Sequence, residues 1–194
     1  MKESRLPDFS DISFCIGDEI ILRRFVEQDI DTIYAVVDRN KDHLMEFMHW
    51  MVPDYSREMT KEFFESSTNA AYAKESLGLG IFRKTDMLGS IGFVRFDELA
   101  GKTEIGYWID QGEEGKGIVS AACKTLIDFA FDELGMNRIE IRCSAENTRS
   151  AAIPKRFGFK HEGHLREAEF RNGKLHDFLV FGLLKAEWER SNHA

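Results

Sequence analysis

Cysteine is scarce, basic charge is not in excess, and no long apolar run occurs. Each absence removes a class of protein. The three cysteines, Cys15, Cys123 and Cys143, cannot all pair and show neither CxxC nor CxxH spacing. That excludes a disulfide framework and a zinc knuckle, and the six histidines form no HExxH motif, so no metal is expected. A reducing compartment fits, and the cytoplasm is the expected location. Residues 1–14 lack the basic stretch and apolar run of a secretory leader. Nothing approaches the ~18 consecutive apolar residues of a membrane span, so no membrane association is expected. The formal net charge of −8 has the wrong sign for gripping a phosphate backbone, which argues against a nucleic-acid partner. A basic protein or a polyamine would suit that charge better.

Repeats and linkers are absent as well. With three prolines in all, no Pro/Gly/Ser-rich segment divides the chain, and residues 1–194 are expected to form a single domain. The run "EIILRRF" (19–25) alternates as a strand does. Ile30, Ile33, Tyr34 and Val37 then recur at helical spacing, as do Leu44, Phe47, Met48 and Met51. Ser56 is placed to cap a third helix. "LGLGIFRK", "MLGSIGFVRF" and "KTEIGYWID" follow as three strands of an antiparallel meander. From Val119 to Leu134 the apolar residues keep helical period until Gly135 stops them. "RIEIRCS" (138–144) alternates strictly, a helix follows from Asn147 to Gly158, and Asn172-Gly173 marks a two-residue hairpin between the last strands. The expected fold is therefore a mixed α/β (α+β) sheet, mostly antiparallel, flanked by helices and containing one strand–helix–strand crossover.

Two segments carry chemistry. The first, "WIDQGEEGKGIVSAA", joins a strand to the long helix, and Gly112, Gly115 and Gly117 let its backbone approach an anionic ligand at the helix start. A Walker A loop would need glycine where Asp110 stands and Ser or Thr where Gly117 stands. A dinucleotide fingerprint starting at Gly115 would need glycine at Ser120. Neither fits, which leaves a pyrophosphate loop of another kind or a plain surface turn. The second segment, "ENTRSAAIPKRFGF" (146–159), has a proline inside a helix. Pro154 cannot donate to the carbonyl of Ser150 and its ring pushes that carbonyl aside, a disturbance of about 3 kcal/mol if nothing compensates.

Taken in order, "LRRFVEQDI", "NKDHLMEFMHWM", "IGYWID", "EGKGIVSAACKTLIDFAFDELGMNRIEIRC", "ENTRSAAIPKRFGFKHEG" and "REAEFRNGKLHD" resemble the GNAT superfamily of N-acetyltransferases, and within it the RimJ/RimL-type ribosomal-protein N-terminal acetyltransferases. The resemblance covers roughly residues 18–190. It implies the acyl-CoA N-acyltransferase fold, with a splayed strand pair holding the cofactor, and acetyl-CoA as acetyl donor. The family's Q/R-x-x-G-x-G/A loop matches Glu114, Gly115, Lys116, Gly117, Ile118 and Val119, followed by Ser120. Glu114 departs from the usual Gln or Arg, and Val119 from a small residue. By the same resemblance, backbone N–H groups near Trp108 and Ile109 polarise the thioester carbonyl, Asn147 caps its helix and reaches the pantetheine arm, and Ser150 gives a proton to the departing thiolate.

The acceptor amine must lose a proton before it attacks, because a free α-amino group has a pKa of about 8. "REAEF" offers Glu167 and Glu169, and the resemblance implies that Glu169 is the general base. A two-residue hairpin loop would set Glu169 opposite His176, whose imidazole could orient the carboxylate or relay its proton. His43 and Trp50 lie off the apolar stripe of their segment, and the resemblance implies that this segment walls the acceptor site, which places both residues there. A protein N-terminal amine is the expected acceptor; a small-molecule amine and a non-catalytic acyl-CoA-binding module are the alternatives. Homodimers are common in the family.

Overall fold

A computed structural model describes residues 4–192 of the chain. Residues 1–3 and 193–194, the ends of the expected domain, lie outside the described residues.

One eight-stranded sheet organises the fold. Its strands are β1 (Ser13–Ile16), β2 (Ile20–Arg23), β3 (Leu77–Arg83), β4 (Asp86–Asp97), β5 (Lys102–Ile109), β6 (Arg138–Ser144), β7 (Lys160–Arg171) and β8 (Lys174–Leu184). They lie in the order β1-β2-β3-β4-β5-β6-β8-β7. Every neighbouring pair is antiparallel except β5 and β6, which the crossover helix α4 (Ile118–Asp128) forces to run parallel. The other helices are α1 (Ile30–Arg39), α2 (Lys41–Phe47), α3 (Arg57–Tyr72), α5 (Thr148–Arg156) and α6 (Lys185–Asn192).

Two apolar cores form on opposite faces of this sheet. On one face Ala122, Cys123, Leu126 and Ile127 of α4 pack against Leu79, Ile81, Ile91 and Ile139 of the strands. On the other, Ile33, Val36 and Val37 of α1 and Leu44 of α2 meet Phe82 and Met87. Each buried Leu, Ile, Val, Phe or Met among them contributes about 1.5–3 kcal/mol. The alternation "LGLG" in β3 follows from this two-sided burial. A Cβ at Gly80 would sit 2.3 Å from the Phe82 ring and 2.7 Å from Phe25, so the glycine lets those aromatic rings lie against the backbone.

Several elements differ from the sequence expectation. Strand β1 is additional; its residues alternate only between exposed and half-buried, too weak a contrast to mark a strand. The long helix changes to a π turn over Phe129–Glu133 before Gly135, at φ +64°, ends it. Helix α6 lacks an apolar stripe, and buried Trp188 anchors it through an indole N–H donated to Asp128 at 3.0 Å. "FKHEG" and "REAEF" belong to one strand, β7, with register shifts at His161/Gly163 and Leu165/Glu169. Within the second shift Glu167 takes φ +50° and donates its N–H to Asp177. The regular alternation that would put Glu167 and Glu169 on one face is therefore broken.

Candidate active site

The parallel strands touch only at their beginnings. Lys102, Thr103 and Glu104 of β5 pair with Arg138, Ile139 and Glu140 of β6; beyond them β5 stays with β4, β6 stays with β8, and the two diverge. A cleft of about 350 Å³ opens between them. Tyr107, Trp108 and Ile109 line it from β5, and Asn147, Ser150 and Ile153 from the opposite side. Leu44, Phe47 and Met48 of the α2 region form a further wall.

At one end of this cleft lies the glycine loop. Gly115 and Gly117 have φ of +73° and +78°, and a Cβ built on either would meet no atom within 4 Å. Their lack of side chains thus leaves open space directly over the backbone. Gly117 is the N-cap of α4 and offers no side-chain cap, so the first-turn N–H groups of the helix are left for an anion. The loop is fastened from behind. Asn40 at the end of α1 accepts the Gln111 N–H at 2.9 Å, while Asp110 accepts from Gly112 and from Arg39. Burial alone would raise the Asp110 carboxyl, but those hydrogen bonds outweigh it and hold the group below the usual carboxylate range.

Glu114, the departure from the family pattern, pairs with Arg149 at 2.5 Å and with His43 at 2.9 Å. Its charge is thereby compensated within the glycine loop, and it ties both α2 and the start of α5 to that loop. Arg156 donates to Ser120 at 2.5 Å, and Lys116 pairs with Glu113 at 3.0 Å. Val119 packs half-buried against the core beside the cleft. These open amides, with Lys116, Arg149 and Arg156 at their rim, fit a pyrophosphate.

Ser150 sits on the first turn of α5. Asn147 caps that helix, its side chain accepting the Ser150 N–H at 2.9 Å. The carbonyl that Pro154 deprives of a helical donor does not stay unpaired, because Tyr107 donates its phenol to Ser150 O at 3.1 Å. The Ser150 hydroxyl in turn points to Tyr107 Oη at 3.3 Å. Burial pushes the Tyr107 phenol well above its ordinary range, so it remains a neutral donor. Burial likewise raises the Cys123 and Cys143 thiols, the latter opposed in part by Ser150. Tyr107 was missed in the sequence because the alternation of β5 marks it only as one more aromatic.

The β7–β8 hairpin turns on Asn172 (φ +50°) and Gly173 (φ +75°). This primed two-residue loop sets Arg171 opposite Lys174 and Glu169 opposite His176, as expected. The side chains then part. His176 turns to Glu146 at 3.1 Å and to the Arg171 carbonyl at 3.3 Å. The imidazole beside the Glu169 carboxylate is that of His49, 3.3 Å from Oε1. Asn172 donates to Met45 O at 2.7 Å and closes the hairpin tip onto α2. His43 reaches the cleft but is engaged by Glu114. Trp50 stays outside the cleft lining, with its ring centred 6.4 Å from Trp108 and 6.2 Å from Tyr55.

Among the described residues no cluster of His, Cys, Asp or Glu could hold a metal ion, and no helix is long and apolar enough to cross a membrane.

Residues 19–160 match the family described as an acetyltransferase (GNAT) domain. The chain belongs to the GNAT acetyltransferases. It is 33% identical to YdaF of Bacillus subtilis over 175 residues, covering 90% of this chain and 96% of that one. With the ribosomal-protein-serine acetyltransferase of Escherichia coli it shares 30% identity over 86% of this chain and 93% of the other. The solved structure of RimL, a ribosomal L7/L12 alpha-N-protein acetyltransferase in complex with coenzyme A, superposes with a TM-score of 0.85 at 24% identity, covering 89% and 98% of the two chains. The GNAT chain described here is an acetyl-CoA-dependent N-acetyltransferase with a mixed, mostly antiparallel sheet.

Proposed function

We propose that this GNAT enzyme acetylates the N-terminal α-amine of a ribosomal protein, with Glu169 as general base and Ser150 as general acid. The observation that carries the acceptor class is the match along nearly the whole length of the ribosomal-protein-serine acetyltransferase.

The chemistry draws on residues that line the cleft and on Glu169, which stands outside that lining beside His49. The amine nitrogen, once neutral, attacks the thioester carbonyl carbon; a C–N bond forms, and the C–S bond then breaks. Glu169 takes the proton that the ammonium must shed, through the carboxylate oxygen facing His49. Backbone N–H groups near Trp108 and Ile109 stabilise the negative charge on the carbonyl oxygen. Ser150 hands its hydroxyl proton to the leaving thiolate, and Asn147 and Tyr107 hold the serine in place through its backbone N–H and its carbonyl. The thiolate needs that proton only as the C–S bond breaks, so Ser150 acts on the transition state.

The test is acetyl transfer from labelled acetyl-CoA to a panel of peptides with different N-terminal residues, to polyamines and to amine antibiotics. Fragment mass spectrometry should put a single acetyl group on the α-amine of a peptide beginning with Ser or Ala. Turnover of a polyamine or antibiotic with all peptides inert would overturn the acceptor assignment.

A further inference from the structure

Arg171 has no surface role despite lying at a hairpin tip. It is 3% exposed. Its Nη1 donates to Glu169 Oε2 at 2.5 Å and reaches the Phe47 carbonyl at 3.4 Å, while its Nε and Nη2 are buried without a hydrogen-bond partner. Nη2 comes only within 3.7 Å of Glu146. A buried guanidinium with unsatisfied N–H groups is costly, and an apolar side chain of similar volume would serve packing as well or better. The hairpin does not need the charge either: its turn is set by Asn172-Gly173, and its tip is fastened to α2 through Asn172 and Met45.

We infer that Arg171 is a positioning residue for Glu169, an inference that rests on the reading of Glu169 as base. The two side chains stand two residues apart on the same face of β7, where the strand period brings them together. A single charge-assisted hydrogen bond from Nη1 occupies one carboxylate oxygen, Oε2, and leaves the other free of the guanidinium. Oε1 remains on the side of His49, at 3.3 Å. By also gripping the Phe47 carbonyl, the same guanidinium sets the base in register with the cleft wall that Phe47 lines. Arginine in a strand next to a turn ordinarily reads as a solvated residue, so nothing in the sequence marks it.

A double-mutant cycle on the acetyltransfer reaction separates positioning from scaffolding. Arg171→Met, Glu169→Gln and the double variant are compared for kcat, for KM of acetyl-CoA and for melting temperature. Arg171→Met is expected to lower kcat roughly 10- to 100-fold with the acetyl-CoA KM within about twofold, and to cost about nothing further in the Glu169→Gln background. If Arg171→Met does not fold, Arg171→Lys, which keeps the charge but not the fork, is carried through the same cycle and read the same way. Equal losses in both backgrounds would make Arg171 a structural residue and overturn the inference. An unaltered kcat in Glu169→Gln alone would instead overturn the base reading on which it rests.

Discussion

Tyr107 Oη donates to the carbonyl oxygen of Ser150 at 3.1 Å, and that carbonyl is the one Pro154 leaves without a helical partner. A residue on β5 thus completes the hydrogen bonding of a helix on the other side of the cleft. The proline earns its place by freeing an acceptor that a strand residue then uses. The contact joins β5 to α5 across the cleft, beyond the point where β5 and β6 stop pairing, and it fixes Ser150 relative to β5.

Tyr107→Phe removes the donor while keeping the ring. Denaturant unfolding should show a loss of about 1 kcal/mol for the part-buried carbonyl left without its donor. Adding Pro154→Ala should recover part of it, since the new residue's N–H can reach the same oxygen. No stability change in Tyr107→Phe would mean that water already serves that carbonyl.

Gly117→Asp puts a negative side chain over the cradle. Space is open there and Asp tolerates positive φ better than most residues, so the fold should survive. Calorimetry should find acetyl-CoA binding abolished by charge and by the blocked backbone. Retained affinity would remove the loop from the cofactor site.

The Asp110 carboxyl lies below its usual range in the folded chain. A depressed carboxylate contributes stability that is complete above the unfolded pKa of about 3.9 and disappears as pH falls through the folded value. Asp110→Asn should therefore be less stable than the parent at neutral pH, and the gap should close on acidification below about pH 4. A gap independent of pH would locate the effect in packing rather than charge.

Ser150→Ala should lower kcat by roughly 10- to 100-fold and leave the acetyl-CoA KM within a few fold, as expected of a proton donor to the leaving group. A change confined to KM would make Ser150 a binding contact.

What the sequence made legible was local. The glycine loop, the Asn147 cap, the Asn172-Gly173 turn and the Glu169–His176 register each depend on residues close in the chain, and each appears as expected. The crossover was readable too, because α4 carries its apolar stripe over several turns. Hidden features depend on distance or on exceptions. The Tyr107–Ser150 contact spans 43 positions, the His49–Glu169 approach joins a loop to a distant hairpin, and Arg171 is buried against the ordinary preference of its type. The bulge at Glu167 escaped notice because its sequence alternates well enough to pass for regular strand.

If Glu169 removes the proton of the acceptor amine, the pH dependence of kcat/KM for Glu169→Gln will show it. With the preferred acceptor, the variant should run roughly 10² to 10⁴-fold slower than the parent at neutral pH. The deficit should shrink as pH rises past the amine's own pKa of about 8, because the substrate then arrives neutral. Glu167→Gln, changed at the exposed bulge, should stay near the parent throughout. A Glu169→Gln enzyme whose rate and pH profile match the parent's would contradict the account.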